Sequence, residues 1–83
     1  MIFLKEKPSR IMITLKNKGP MYLSKIAKET DTTYVYVTNL MRTLAARRWV
    51  IIEEKGKYRV ARLTEDGIEL AKIISEIYDK EKG

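Results

Sequence analysis

The stretch from Thr33 to Ala46 constrains this chain more than any other. At 100° per residue, Val37, Leu40, Met41 and Leu44 fall within about a third of a helix circumference, while Val35, Thr38, Asn39, Arg42 and Ala46 lie opposite. A segment divided in this way is a helix with one buried face. Thr33 is its expected N-cap, with Asp31 or Thr32 as alternatives, and it is expected to run to about Arg48. Immediately before it, Ser24 can cap a shorter helix whose Ile26 and Ala27 face inward, and Thr30-Asp31-Thr32 supplies a tight polar turn. The reading is two short helices joined by a turn, the second presenting small, amide and guanidinium groups outward.

The flanking residues complete an α+β pattern. Pro8 suits the first position of a helix, and Ile11, Met12 and Leu15 recur at helical spacing until Gly19-Pro20 stops them. Met21-Tyr22-Leu23 reads as a short extended segment. Trp49 to Glu54 and Lys57 to Leu63 are β-rich and flank the turn dipeptide Lys55-Gly56, which fits a two-stranded hairpin. Thr64 then caps a last helix, with Glu65 and Asp66 in its first turn where the helix dipole favours negative charge, and that helix is expected to reach about Lys80. Residues 1–83 are expected to form one domain: a three-helix core, a two-stranded β wing and a C-terminal helix.

Composition removes most chemistry. The chain has no cysteine and no histidine, which excludes disulfides, thiolate or imidazole metal ligands, thiol nucleophiles and the commonest general base. Glu53 and Glu54 are adjacent in a strand and point to opposite faces, so they cannot pair as acid and base. Ser9, Ser24 and Ser75 lack a histidine to activate them, and the glycines match no phosphate-binding fingerprint. No catalytic residue, metal or cofactor is expected. Uncharged runs are too short to span a bilayer, and Met1-Ile2-Phe3-Leu4 is too short for a signal sequence, so the expectation is a cytoplasmic protein with no membrane partner.

The net charge of +6 is unevenly spread. Residues 42–64 carry seven Lys or Arg against two Glu, whereas residues 65–83 carry three basic and six acidic groups. One end of the molecule suits a polyanion and the other does not.

In order, these elements resemble the winged helix-turn-helix regulators of the multiple-antibiotic-resistance (MarR) and arsenic-repressor (ArsR) types. Ser24 to Thr30 is similar to their second-helix Ser-x-Ile/Leu-Ala motif, and Thr33 to Leu40 to their Ser-x-x-x-Val-Ser-x-x-hydrophobic recognition helix. Leu63-Thr64-Glu65-Asp66-Gly67 is similar to the Leu-Thr-x-x-Gly that follows the wing. The chain departs from the pattern at Arg48-Trp49, where those regulators commonly carry a glycine, and in its short wing tip. The resemblance implies double-stranded DNA as partner and a two-fold dimer built on the terminal helices, with recognition helices on successive major-groove faces.

Asn39 and Arg42 are the expected base readers, since a carboxamide matches adenine N6/N7 and a guanidinium matches guanine O6/N7. Thr33, Tyr34, Val35, Tyr36 and Thr38 occupy the end of the helix that enters a groove, where methyls and rings meet thymine methyls and hydroxyls reach phosphates. Lys55, Lys57 and Arg59 are expected on backbone phosphate or along the minor groove. Trp49 and Tyr58 read as core aromatics.

The last helix carries two apolar stripes, Leu70-Ile73-Ile77 and Ala71-Ile74-Tyr78, and a domain this small can cover one. The first is assigned to a homodimer interface; the alternative is one wide stripe packed on the first helix and Ile2-Phe3-Leu4. The resulting expectation is a sequence-specific, homodimeric transcriptional regulator. Its rivals are a winged-helix protein-interaction module and a non-specific nucleoid protein.

Overall fold

The computed structural model describes residues 5–82, and side chains through Lys80. Its elements are α1 (Glu6–Lys18), β1 (Met21–Tyr22), α2 (Leu23–Glu29), α3 (Tyr34–Ala46), β2 (Val50–Lys55), β3 (Tyr58–Leu63) and α4 (Glu65–Lys82). The Ile2-Phe3-Leu4 segment lies outside the described residues.

The core is made by the residues whose spacing marks them as inward. Val37, Leu40, Met41 and Leu44 of α3 are buried against Ile11, Met12 and Leu15 of α1 and Leu23, Ile26 and Ala27 of α2. Burial of a Leu, Ile or Met side chain contributes about 1.5–3 kcal/mol, so this cluster carries most of the fold's stability. Pro8 stands in the first turn of α1, where its missing N–H leaves no carbonyl unpaired.

The short extended segment expected at Met21-Tyr22-Leu23 is a strand over Met21–Tyr22 that joins the hairpin, so the sheet has three strands, in the order β1-β3-β2 and antiparallel throughout. Met21 and Tyr22 pair with Ala61 and Val60, which holds the backbone extended through Tyr22. Tyr22 therefore takes the N-cap position of α2 with no side-chain cap, and Ser24 does not cap the helix. The hairpin turns through Gly56-Lys57, with Lys55 opposite Tyr58, and Gly56 adopts the positive φ of 61° that a two-residue hairpin needs. Ala61 and Ile52 face the core, so Tyr22, Tyr58, Val60 and Arg62 stand on the outer face. Tyr58 is 58% exposed and is not a core residue.

Both helices of the turn end in the same way. In α3, Trp49 N–H donates to Leu44 C=O (3.0 Å) and Arg48 N–H to Ala45 C=O (3.0 Å), with Arg48 at φ 62°. In α2, Thr32 N–H donates to Ala27 C=O (2.9 Å), with Asp31 at φ 54°. These are Schellman closures built without glycine. The position where the resembled regulators carry a glycine thus keeps the left-handed conformation here, with an arginine in it. The helix ends at Ala46, two residues before the expected end.

The C-terminal end of α2 is tied to α1. Arg10 Nη2 donates to the Thr30 carbonyl (2.8 Å), placing a cation at the C-terminus of α2, where the helix dipole is negative. Thr30 Oγ1 donates to the Ile26 carbonyl (2.7 Å), and Lys18 pairs with Glu29 (2.7 Å), holding its carboxyl below the ordinary value. On α4, Ala71 and Ile74 are buried and Tyr78 Oη reaches Glu6 Oε1 at 3.3 Å, so this stripe is the one that packs on α1.

Candidate nucleic-acid interface

The first requirement of a recognition helix is a fixed N-terminus. Thr33 provides it, its Oγ1 accepting from Tyr36 N–H at 3.0 Å. From that cap, α3 turns Val35, Asn39 and Arg42 to solvent, and Val35 is 67% exposed. An apolar residue so bare on a helix face otherwise amide and guanidinium is suited to a thymine methyl. Tyr34, in the first helical position, is half exposed beside them.

Two expected contacts fall off this face. Tyr36 lies about 40° around the helix from Leu40, on the margin of the buried side. Its ring packs on the core with Lys7 Nζ 5.7 Å from the centroid, and burial raises its phenol pKa. Thr38 is half-buried, and its Oγ1 is enclosed with no hydrogen-bond partner among the described residues. The hydroxyl expected to reach a phosphate points inward.

Cations surround the exposed face with unequal freedom. Arg62 is tied to Glu53 at 3.0 Å and Arg59 faces Glu54 at 4.0 Å across the hairpin. Arg42, Lys55 and Lys57 are exposed and make no ion pair among the described residues. Arg47 stacks over the half-buried Trp49, 5.5 Å from the ring centroid.

Between α3 and the wing lies a groove of about 260 Å³ lined by Tyr22, Leu23, Ser24, Tyr34, Lys57, Tyr58 and Arg59. The rings of Tyr22 and Tyr58 meet there, with centroids 5.3 Å apart. Sequence reasoning missed Tyr22, Ser24 and Tyr58. The signal for Tyr58 lies in the parity of β3, because a strand that turns Ala61 and Leu63 inward must turn Tyr58 outward.

The face assigned to a dimer is divided. Ile73 and Ile77 are 54% and 48% exposed. Leu70 is partly buried and packs against the core, so it belongs to the protomer's own interior. Among the described residues no cluster of acidic groups could hold a metal, and no helix is long and apolar enough to cross a membrane.

A helix pair with an exposed second helix, flanked by a β hairpin and a C-terminal helix, is a winged helix-turn-helix. No family model matches the chain, and no curated protein matches it. Solved structures do. AF1382 from Archaeoglobus fulgidus superposes with a TM-score of 0.87 at 25% identity, over 95% of this chain and 91% of that one. MepR, a transcription regulator of the Staphylococcus aureus multidrug efflux pump MepA, gives 0.82 at 21% identity, over 94% and 60%. The MarR family transcriptional regulator SPO1453 from Silicibacter pomeroyi gives 0.78 at 24% identity, over 93% and 57%. The fold is the MarR-like winged helix. This chain spans nearly all of AF1382 and less than two thirds of the two regulators.

Proposed function

We propose that residues 1–83 act as one sequence-specific, double-stranded DNA-binding domain, a cytoplasmic transcriptional regulator that works as a homodimer and carries out no catalysis. The observation that carries this reading is the exposed face of α3, where Val35, Asn39 and Arg42 stand clear of the core beside Lys55 and Lys57 of the wing, which make no ion pair among the described residues. Asn39 and Arg42 read base edges in the major groove, Val35 meets a thymine methyl, and Thr33 and Tyr34 approach the backbone. The wing supplies sequence-independent phosphate contacts through Lys55, Lys57 and Arg59. Ile73 and Ile77 pair two protomers, setting two recognition helices on one face of a pseudo-palindromic site. That MepR and SPO1453 are named transcription regulators supports the reading through the shared fold.

Selection of bound sequences from a random duplex pool at fixed salt tests it. The expected result is enrichment of a motif with two-fold symmetry. Duplex binding without enrichment would make the protein a non-specific packaging factor, and no duplex binding would leave an interaction module.

A further inference from the structure

The groove between α3 and the wing has an occupant defined by its position and its chemistry. Its walls come from both sides, Tyr34 from α3 and Lys57, Tyr58 and Arg59 from the wing. When α3 lies in a major groove and the wing meets the neighbouring minor groove, the ridge between the two is the sugar-phosphate backbone of one strand. That strand has to cross the gap these residues line. We propose that the groove is a backbone cradle: the rings of Tyr22 and Tyr58 lie against deoxyribose, and their hydroxyls, with the Lys57 ammonium, donate to phosphate oxygens. This rests on the duplex-binding reading above and adds Tyr22, Ser24 and Tyr58 to the interface.

The residue types fit such an occupant. Tyrosine presents an apolar ring with a polar tip, which matches a sugar next to a phosphate. Tyr22 and Tyr58 are 46% and 58% exposed although large and aromatic, and they hold one another at 5.3 Å as diagonal neighbours on the outer face of β1 and β3. Ser24 contributes a small hydroxyl at the groove wall, and phosphate contacts in protein–DNA complexes come from Ser and Tyr as well as from Lys and Arg. Charge is complementary: among the described residues Lys57 has no ion pair, and Glu54 holds the other groove cation, Arg59, only at 4.0 Å. Such a contact orients the duplex without reading its sequence.

The test compares the unmutated protein with Tyr22→Ala/Tyr58→Ala, Tyr22→Phe/Tyr58→Phe, Lys57→Ala and Arg42→Ala on duplexes of several sequences across a salt series, with melting curves for each. The cradle predicts that the alanine pair loses about tenfold or more in affinity on every duplex, the size of a lost hydrogen bond to a charged group, with the salt slope unchanged because no charge is removed. Lys57→Ala lowers that slope by about one. If the alanine pair costs the fold, the phenylalanine pair decides. It keeps both rings, and a loss of several-fold on duplex supports the cradle, while unmutated affinity overturns it. Duplex binding that falls for Arg42→Ala but not for the tyrosine variants overturns the cradle and leaves the duplex-binding reading standing. Preferential, ring-dependent binding of single-stranded oligonucleotide overturns it in favour of base stacking. An unmutated protein that binds no duplex overturns both.

Discussion

The carbonyl group of Trp49 occupies the space that a Cβ on Gly67 would need, so the first turn of α4 can close only against a residue without a side chain. The same junction is tied by Thr64. Its N–H donates to the Trp49 carbonyl (3.0 Å), its Oγ1 donates to the Arg48 carbonyl (2.7 Å) and accepts from Gly67 N–H (3.0 Å). The Leu-Thr-x-x-Gly spacing thereby acquires a physical reason: it welds the end of α3, the start of β2 and the first turn of α4 together.

Gly67→Ala should lower stability by about 1–3 kcal/mol, the range for forcing atoms into filled space, with the weld displaced. Chemical denaturation of the two proteins checks this. An unchanged midpoint would mean that the junction gives way freely.

Arg48 holds φ at 62°, a conformation that costs a residue with a Cβ about 1–2 kcal/mol. Arg48→Gly relieves that cost, partly offset by the greater freedom of glycine in the unfolded chain. A net gain of about 0.5–1 kcal/mol is expected from denaturant titration. Arg48→Val, β-branched at the same angle, should lose stability instead.

Much of this architecture was legible because periodicity and caps agree. Val37, Leu40, Met41 and Leu44 are inward as their spacing requires, and Thr33 and Thr64 cap as their positions require. The extended segment at Met21-Tyr22 was legible, but its pairing with β3 was not. A two-residue strand has no period of its own, and Met21-Tyr22 is extended because β3 offers it a partner. Tyr36, Thr38 and Leu70 escaped for a related reason. Each sits at the margin between a helix's two faces, where neighbouring elements rather than angle decide burial. Tyr58 was read as core because it neighbours apolar strand positions, and the parity of β3 overrules that.

The wing cations should separate by their partners. Lys55→Ala and Lys57→Ala are each expected to reduce the slope of log affinity against log salt by about one unit, whatever the duplex sequence. Arg62→Ala should change it less, because Glu53 already holds that guanidinium at 3.0 Å. Equal slopes for all variants would remove the wing from the interface.

Ile73→Glu and Ile77→Glu place carboxylates on a face that the protomer leaves open, so the folded chain should persist while a dimer dissociates. Sedimentation of the unmutated protein and both variants across micromolar concentrations is the check. Ile74→Glu, at a position 5% exposed, should unfold the chain and mark the difference between the two stripes. A monomeric unmutated protein would end the dimer assignment and make single half-site recognition the expectation.

Base reading by the outward face of α3 is measured most directly by the affinity of Asn39→Ala and Arg42→Ala for the selected duplex and for random duplex at one salt concentration. Each substitution should cost about 1–3 kcal/mol on the selected site, relax preference at one base position, and cost much less on random DNA. Equal losses on both duplexes would contradict base reading, because they would place these two side chains on the backbone and leave α3 without a reading role.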